Sequence, residues 1–116
     1  MNINCGVDIV EVSRIKKIIS SNPEFTKRVF TLKEIGYCSS KKNKWQHFAV
    51  RFAAKEAIWK AVGLMGMGLR DIGIKNDKNG KPCPDLVEKF KKFESKISIS
   101  LSHTEEYAVA FAVYKK

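Results

Sequence analysis

Apolar and other residues alternate from Ile3 to Val10, so a predicted strand puts Ile3, Cys5, Val7 and Ile9 on one face and Asp8 on the other. The period then changes. Val12, Ile15, Ile18 and Ile19 recur at helical spacing and leave Ser13, Arg14, Lys16 and Lys17 off the stripe, which predicts a helix with a basic face. Asn22-Pro23 stops it, and Thr31-Leu32-Lys33-Glu34 has the form of a capping box opening a second, short helix. After a polar, basic loop over 39–44, a long helix is predicted from about Trp45 to Leu64, ended by Gly63, Gly66 and Gly68.

The second half reads as strand, turn, helix and hairpin. Asp71 to Lys75 suits a strand, and the segment Asn76 to Pro82 carries an Asn-Gly turn signal. Leu86, Val87, Phe90 and Phe93 mark an amphipathic helix with Asp85 as its N-cap. Ile97, Ile99 and Leu101 alternate with Ser98, Ser100 and Ser102, and Tyr107 to Tyr114 returns after the connection His103-Thr104-Glu105-Glu106. There is no internal repeat and no low-complexity segment. Strands and helices without regular βαβ alternation predict an α+β fold, a largely antiparallel sheet packed against the long helix, and 116 residues predict one domain over 1–116.

Composition narrows the classes. A 44% hydrophobic content is that of a globular chain, and no run of about 18 apolar residues suggests a membrane span. The first residues lack the charged and apolar regions of a signal peptide, so a cytoplasmic protein without a membrane partner is expected. Cys5, Cys38 and Cys83 are odd in number and widely spaced, which predicts reduced thiols; Cys5, on an alternating apolar face, is expected in the core. The formal charge of +10 calls for an anionic partner: nucleic acid, an acidic protein or a phosphorylated small molecule. A small basic nucleic-acid-binding module is therefore one reading. Against it, 18 of the 22 basic residues are Lys spread along the chain, and there is no RNP-type aromatic signature, helix-turn-helix pattern or zinc spacing.

The long helix holds the residue with the most chemistry. At about 100° per residue, the arc around Glu56 contains Phe48, Ala49, Phe52, Ala53, Trp59 and Gly63, with Lys60 one turn on, so Glu56 is expected to point to the core side. An ionised carboxylate there needs compensation. Either an i,i+4 pair with Lys60 or a divalent cation would supply it.

Four pieces stand in order: Gly6-Val7-Asp8-Ile9-Val10-Glu11; Arg51 with Lys55-Glu56-Ala57-Ile58-Trp59-Lys60; Asn79-Gly80-Lys81-Pro82; and Ser100-Leu101-Ser102-His103-Thr104. Together they closely resemble the holo-acyl-carrier-protein synthases, small members of the 4′-phosphopantetheinyl transferases, over nearly the whole chain. The resemblance implies that the chain is an enzyme moving the phosphopantetheine arm of coenzyme A onto a serine of an acidic acyl carrier protein, in support of fatty acid biosynthesis. Attack of a hydroxyl on a pyrophosphate needs a divalent cation to spread the growing charge, and hard oxygen ligands suit Mg²⁺. By the same resemblance Asp8 and Glu56 are the metal ligands and Lys60 is the catalytic lysine at the pyrophosphate. The acceptor of the serine proton, a metal-bound water or a carboxylate, stays open.

The family pattern also sets Lys42, Arg51, His103 and Thr104 near the phosphates of coenzyme A, and Asn79, Gly80, Lys81 and Pro82 against its adenine end. Arg14 and Arg28 match positions where the family meets its carrier; Glu24 departs from the basic character usual there, and Lys16, Lys17 and Lys27 are available to share that work. Arg51 lies about 140° around the helix from Glu56. One helix serving two surfaces fits the family's homotrimer, with active sites at subunit interfaces. A catalytically dead adaptor is disfavoured, because Asp8, Glu56, Lys60 and His103 are all retained.

Overall fold

A computed structural model describes residues 2–116. Strand β1 (Ile3–Glu11) leads into α1 (Val12–Ser21), α2 (Pro23–Val29), α3 (Leu32–Ser39) and the long α4 (Lys44–Val62). A 3₁₀ turn (Leu69–Asp71), the hairpin β2 (Ile72–Asn76) and β3 (Pro82–Leu86), a 3₁₀ segment (Glu88–Lys96) and the hairpin β4 (Ile97–His103) and β5 (Tyr107–Lys115) follow. The sheet order is β1-β5-β4, antiparallel throughout, with β2-β3 a separate pair. This is the expected α+β architecture.

Alanine sets the distance between helix and sheet. Ala53, Ala57 and Ala61 of α4 and Ala108, Ala110 and Ala112 of β5 are all 0% exposed, so the two backbones pack closely. Gly6 is where β1 joins this contact: a Cβ there would overlap the carbonyl of Ala57 and the amide nitrogen of Ala61. That close approach brings Asp8, two residues on and on the same strand face, beside the last turns of α4. A second cluster, with Ile15, Phe30, Cys38, Phe48 and Val50, fills the space between α1, α3 and the start of α4.

Several caps form as the sequence predicts. Thr31 Oγ1 accepts from the Glu34 amide at 3.2 Å while Glu34 Oε1 accepts from the Thr31 amide at 3.0 Å, closing the capping box of α3. Gly63, at φ 64°, ends α4 two residues earlier than expected. Asn22 does more than stop α1: its side chain accepts from the Phe25 amide and Pro23 opens α2.

Three expectations are corrected. The alternation of β1 is right but its sense is reversed: Ile3, Val7 and Ile9 are 43%, 56% and 63% exposed and Cys5 is exposed with them, because Gly6, Asp8 and Val10 take the side facing α4. Cys38 is the core cysteine, and burial pushes its thiol up to about 11. The predicted helix from Asp85 is instead strand β3 followed by 3₁₀ turns, with Val87 as the cap and Asp85 within the strand. Leu86 and Phe90 are still buried, but the chain between them is tied sideways: Glu94 Oε2 accepts from the Leu86 amide, and Lys91 bonds both Asp85 and Glu94. Glu56, finally, does not face the core. The buried stripe of α4 runs through Ala49, Ala53, Ala57 and Ala61, and Glu56 sits at its edge, half-buried, near the exposed Trp59 and Lys60. Counting aromatics as core markers rotated the helix too far.

Candidate active site

Asp8, Glu56 and Arg14 line one cleft of about 560 Å³, floored by Phe25 and Phe52, whose rings lie 5.8 Å apart. Lys60 stands at its edge. Its ammonium donates to Asp8 Oδ1 at 3.4 Å and to the carbonyl of Val7 at 3.1 Å, and its side chain is 47% exposed. The i,i+4 pair with Glu56 does not form; Lys60 turns to the strand instead.

The charges of this cleft are not balanced. Asp8 Oδ2 is buried without any hydrogen-bond partner. Burial raises the Glu56 carboxyl above its ordinary range, the nearby Asp8 charge adds to that, and Lys60 only partly opposes it. Two carboxylates thus share one cleft, and the one ion pair either of them forms among the described residues is the 3.4 Å contact of Asp8 Oδ1 with the half-exposed Lys60. A cation placed there would satisfy the orphaned oxygen and remove the repulsion. No cluster of three or more His, Cys, Asp or Glu side chains able to hold a metal exists among the described residues, so a cation here would have only the Asp8 and Glu56 carboxylates as acidic side-chain donors.

A second group lies on the other side of α4. Arg51 is 6% exposed and packs on the Tyr37 ring at 4.3 Å from its centroid. It also lines a cleft of about 580 Å³ between α3 and the β2-β3 hairpin. His103, at the end of β4, is on the sheet face that carries Ala108 and bears electrostatically on His47 of α4. Thr104 Oγ1 accepts from the amides of Glu106 and Tyr107 and so shapes the β4-β5 turn. Lys42 is exposed on the connection before α4.

The turn over 79–82 is built by its neighbour Asp77, whose carboxylate accepts from the amides of Asn79 and Lys81, while Gly80 supplies φ 82°. Asn79, Gly80 and Lys81 are exposed at the hairpin tip. Arg28 is exposed on α2, and Arg14, Lys16, Lys17 and Lys27 are exposed on the same pair of helices. Within one chain, then, Asp8, Glu56, Lys60 and Arg14 are brought together, while Arg51 and His103 belong to a different surface from Glu56.

The family model for the 4′-phosphopantetheinyl transferase superfamily matches residues 4–112. The chain belongs to that superfamily. It is similar to the holo-[acyl-carrier-protein] synthase of Ruminiclostridium cellulolyticum, 47% identical with 97% of this chain and 92% of that protein covered, and to that of Clostridium tetani, 43% identical with 97% and 95% covered. Among solved structures, the fold matches a holo-(acyl-carrier-protein) synthase from Bacillus anthracis in complex with CoA (3′,5′-ADP), at TM-score 0.80 and 32% identity over 97% of this chain and 96% of that one. The corresponding enzyme of Neisseria meningitidis matches at TM-score 0.82 and 33% identity, over 97% and 98%. The four segments singled out in the sequence lie on β1, α4, the β2-β3 turn and the end of β4.

Two residues of the second surface escaped the sequence reading. Tyr37 and His47 both touch the Arg51 neighbourhood, and the signal for His47 was available: it stands four residues before Arg51 on one helix face.

Proposed function

We propose that this chain is a holo-acyl-carrier-protein synthase, transferring 4′-phosphopantetheine from coenzyme A to a serine of an apo-acyl carrier protein and releasing adenosine 3′,5′-bisphosphate, in support of fatty acid biosynthesis. The observation that carries this reading is the unpartnered Asp8 Oδ2 beside Glu56, with the Lys60 ammonium 3.4 Å from the other Asp8 oxygen. Asp8 and Glu56 would hold Mg²⁺, which when bound spreads charge from the phosphate oxygens and aligns the leaving group. Lys60, tethered to the Val7 carbonyl and half-exposed, meets the pyrophosphate as charge moves onto the leaving phosphate. In the transfer, the carrier serine oxygen bonds to the β-phosphorus as its proton passes to a carboxylate or water, and the bond from that phosphorus to the bridging oxygen breaks with its electron pair leaving on adenosine 3′,5′-bisphosphate. Arg51, Lys42, His103 and Thr104 take the remaining phosphates, and the turn of Asn79, Gly80, Lys81 and the half-buried Pro82 takes the adenine end.

The carrier would dock on α1 and α2 through Arg14 and Arg28, beside the cleft that Arg14 lines. The two surfaces of α4 become one site when chains assemble, and we place a second copy of the chain on the outer face of the sheet. Val7, Ile9, Tyr107 and Phe111 are 56%, 63%, 45% and 42% exposed there, an apolar face that water does not favour. A cytoplasmic homotrimer follows from this reading; no helix among the described residues is long and apolar enough to cross a membrane. The nucleic-acid module has only the net charge of +10 behind it, which an acidic carrier and coenzyme A account for equally.

The test is incubation with apo-acyl carrier protein, coenzyme A and Mg²⁺, followed by the mass of the carrier. A phosphopantetheine adduct is expected, and a carrier of unchanged mass would reject the reading. Light scattering should give three times the chain mass, and a monomer would reject the shared site.

A further inference from the structure

His47 has no task in the reading above, yet it sits among cations that nothing neutralises. Its imidazole, half-buried on α4, meets the Tyr37 ring edge-on at 5.9 Å between centroids. The same ring carries the Arg51 guanidinium at 4.3 Å and the Lys41 ammonium at 4.7 Å. The Tyr37 hydroxyl accepts from Asn76 Nδ2 at 3.3 Å, which ties the ring to the β2-β3 hairpin. His103 of β4 also bears on the imidazole. Tyr37 and Lys41 from α3 and the loop after it, Arg51 from α4 itself and His103 from β4 are thus the charged and titratable groups facing His47.

Glu34 lines the same cleft as Arg51 but is paired with Lys55. Arg51 is almost wholly buried, and neither it nor Lys41 forms an ion pair with any Asp or Glu among the described residues. A buried guanidinium without a counter-ion, stacked on an aromatic ring beside a second cation, is an arrangement completed by an anion. Burial lowers the affinity of His47 for a proton, and Arg51, Lys41 and His103 lower it further. An anion entering the cluster would offset the charge of Arg51 and Lys41. A neutral imidazole in the empty site would then become a charged donor in the filled one.

We propose that His47 is a further residue of the phosphate site of this chain, donating from a protonated imidazole to a phosphate monoester held by Arg51. This rests on the transferase reading and adds to it a particular phosphate. A monoester is dianionic near neutral pH, having a second ionisation at about 6. Each phosphorus of a pyrophosphate diester carries one charge. In coenzyme A the 3′-phosphate is the monoester, so that end of the substrate belongs against His47. The proton comes from solvent on binding, and no bond of the ligand changes.

Calorimetric titration of the intact protein with coenzyme A and with dephospho-coenzyme A, in buffers of different ionisation enthalpy, reads the proton directly. With coenzyme A at about pH 7 the wild-type chain should take up roughly 0.5 proton, and affinity should weaken several-fold from about pH 6 to about pH 8. His47→Gln should lose most of that uptake and flatten the pH profile while keeping measurable binding. Dephospho-coenzyme A should show little uptake with either protein. Undiminished uptake in His47→Gln, or equal uptake with dephospho-coenzyme A, overturns the proposal while leaving the transferase reading intact. Absence of any coenzyme A binding overturns both. The imidazole Cε1 proton of His47, followed by NMR through a pH titration, tests the point without a substitution: its midpoint should rise when coenzyme A is added, and an unmoved midpoint refutes the assignment.

Discussion

Lys55 and Glu56 are neighbours on one helix, and the fold treats them in opposite ways. The Lys55 side chain is 0% exposed, with its ammonium 2.7 Å from Glu34 Oε1, 2.6 Å from the Ile72 carbonyl and 3.3 Å from that of Leu69. All three of its protons are in use. Glu34 is in turn fixed by Thr31, whose amide and hydroxyl both donate to the same oxygen. Glu56, about 100° further round the helix, faces Asp8 with no such closure. Each cluster keeps one unpartnered carboxylate oxygen, Glu34 Oε2 and Asp8 Oδ2. Glu34, however, already faces a fully committed ammonium, whereas Asp8 and Glu56 oppose each other. The first cluster is closed by the chain itself and ties α3 to α4; the second is not closed in that way.

The strongest way to break this contrast is to remove the closed partner. Lys55→Met would leave Glu34 buried against an apolar chain and free the carbonyls of Leu69 and Ile72, so urea unfolding should show a loss of about 3–5 kcal/mol. The double variant Lys55→Met with Glu34→Gln should recover part of it, because no uncompensated charge remains. A single-variant loss below about 1 kcal/mol would mean that the pair is not what joins α3 to α4.

The neighbouring substitution should do the reverse. If Glu56 holds the cation as proposed, Glu56→Gln should lower transfer about 10²–10³-fold by steady-state assay, since the cation that spreads the phosphate charge loses a ligand. Its metal-free melting temperature should rise. The sign follows from linkage: the folded-state carboxyl titrates above its ordinary value, so stability from this group is full at low pH and is lost as pH rises through the raised value. At neutral pH the native carboxylate therefore costs stability, and the amide relieves it. A Glu56→Gln variant that melts lower than wild type without metal would show that Glu56 is part of the closed framework after all.

These outcomes also mark what the sequence could and could not reveal. The capping box at Thr31 and Glu34 was legible because it is a local pattern, but its second use, as the partner of Lys55 twenty-one residues away, was not. Alternation identified β1 and its two faces; only packing against α4, which Gly6 permits and bulky residues would not, decided which face is inside. Leu86, Phe90 and Phe93 are spaced for a helix, yet Pro82 and Pro84 conceal a strand that pairs on one side alone. The convergence of Asp8, Glu56 and Lys60 came from resemblance to a family. The positive cluster at Tyr37 needed α3, α4 and β4 brought together in space.

A smaller effect sharpens the open half of the comparison. Protons and a cation compete for Glu56, so Mg²⁺ affinity measured calorimetrically should fall as pH drops through the raised Glu56 value, by at most about tenfold per unit of pH. In Glu56→Gln that dependence should disappear together with most of the affinity. A wild-type affinity flat down to the ordinary carboxylate range would place the cation elsewhere.

The smallest effect separates both clusters from the exposed charges around them. Arg14 and Arg28 lie on the surface of α1 and α2 with Lys16, Lys17 and Lys27 nearby, and at 0.1 M salt the screening length is about 10 Å. Association with an acidic carrier should therefore slow several-fold between low and high ionic strength, and Arg14→Ala or Arg28→Ala should each reduce the slope. The Lys55–Glu34 pair, shut away from ions, gives no reason for unfolding stability to follow the same curve. Stopped-flow binding and urea unfolding over one salt series would set the two responses side by side. Parallel responses would mean that salt acts on the fold itself; divergent ones would assign the basic helices to the carrier and the buried pair to the scaffold.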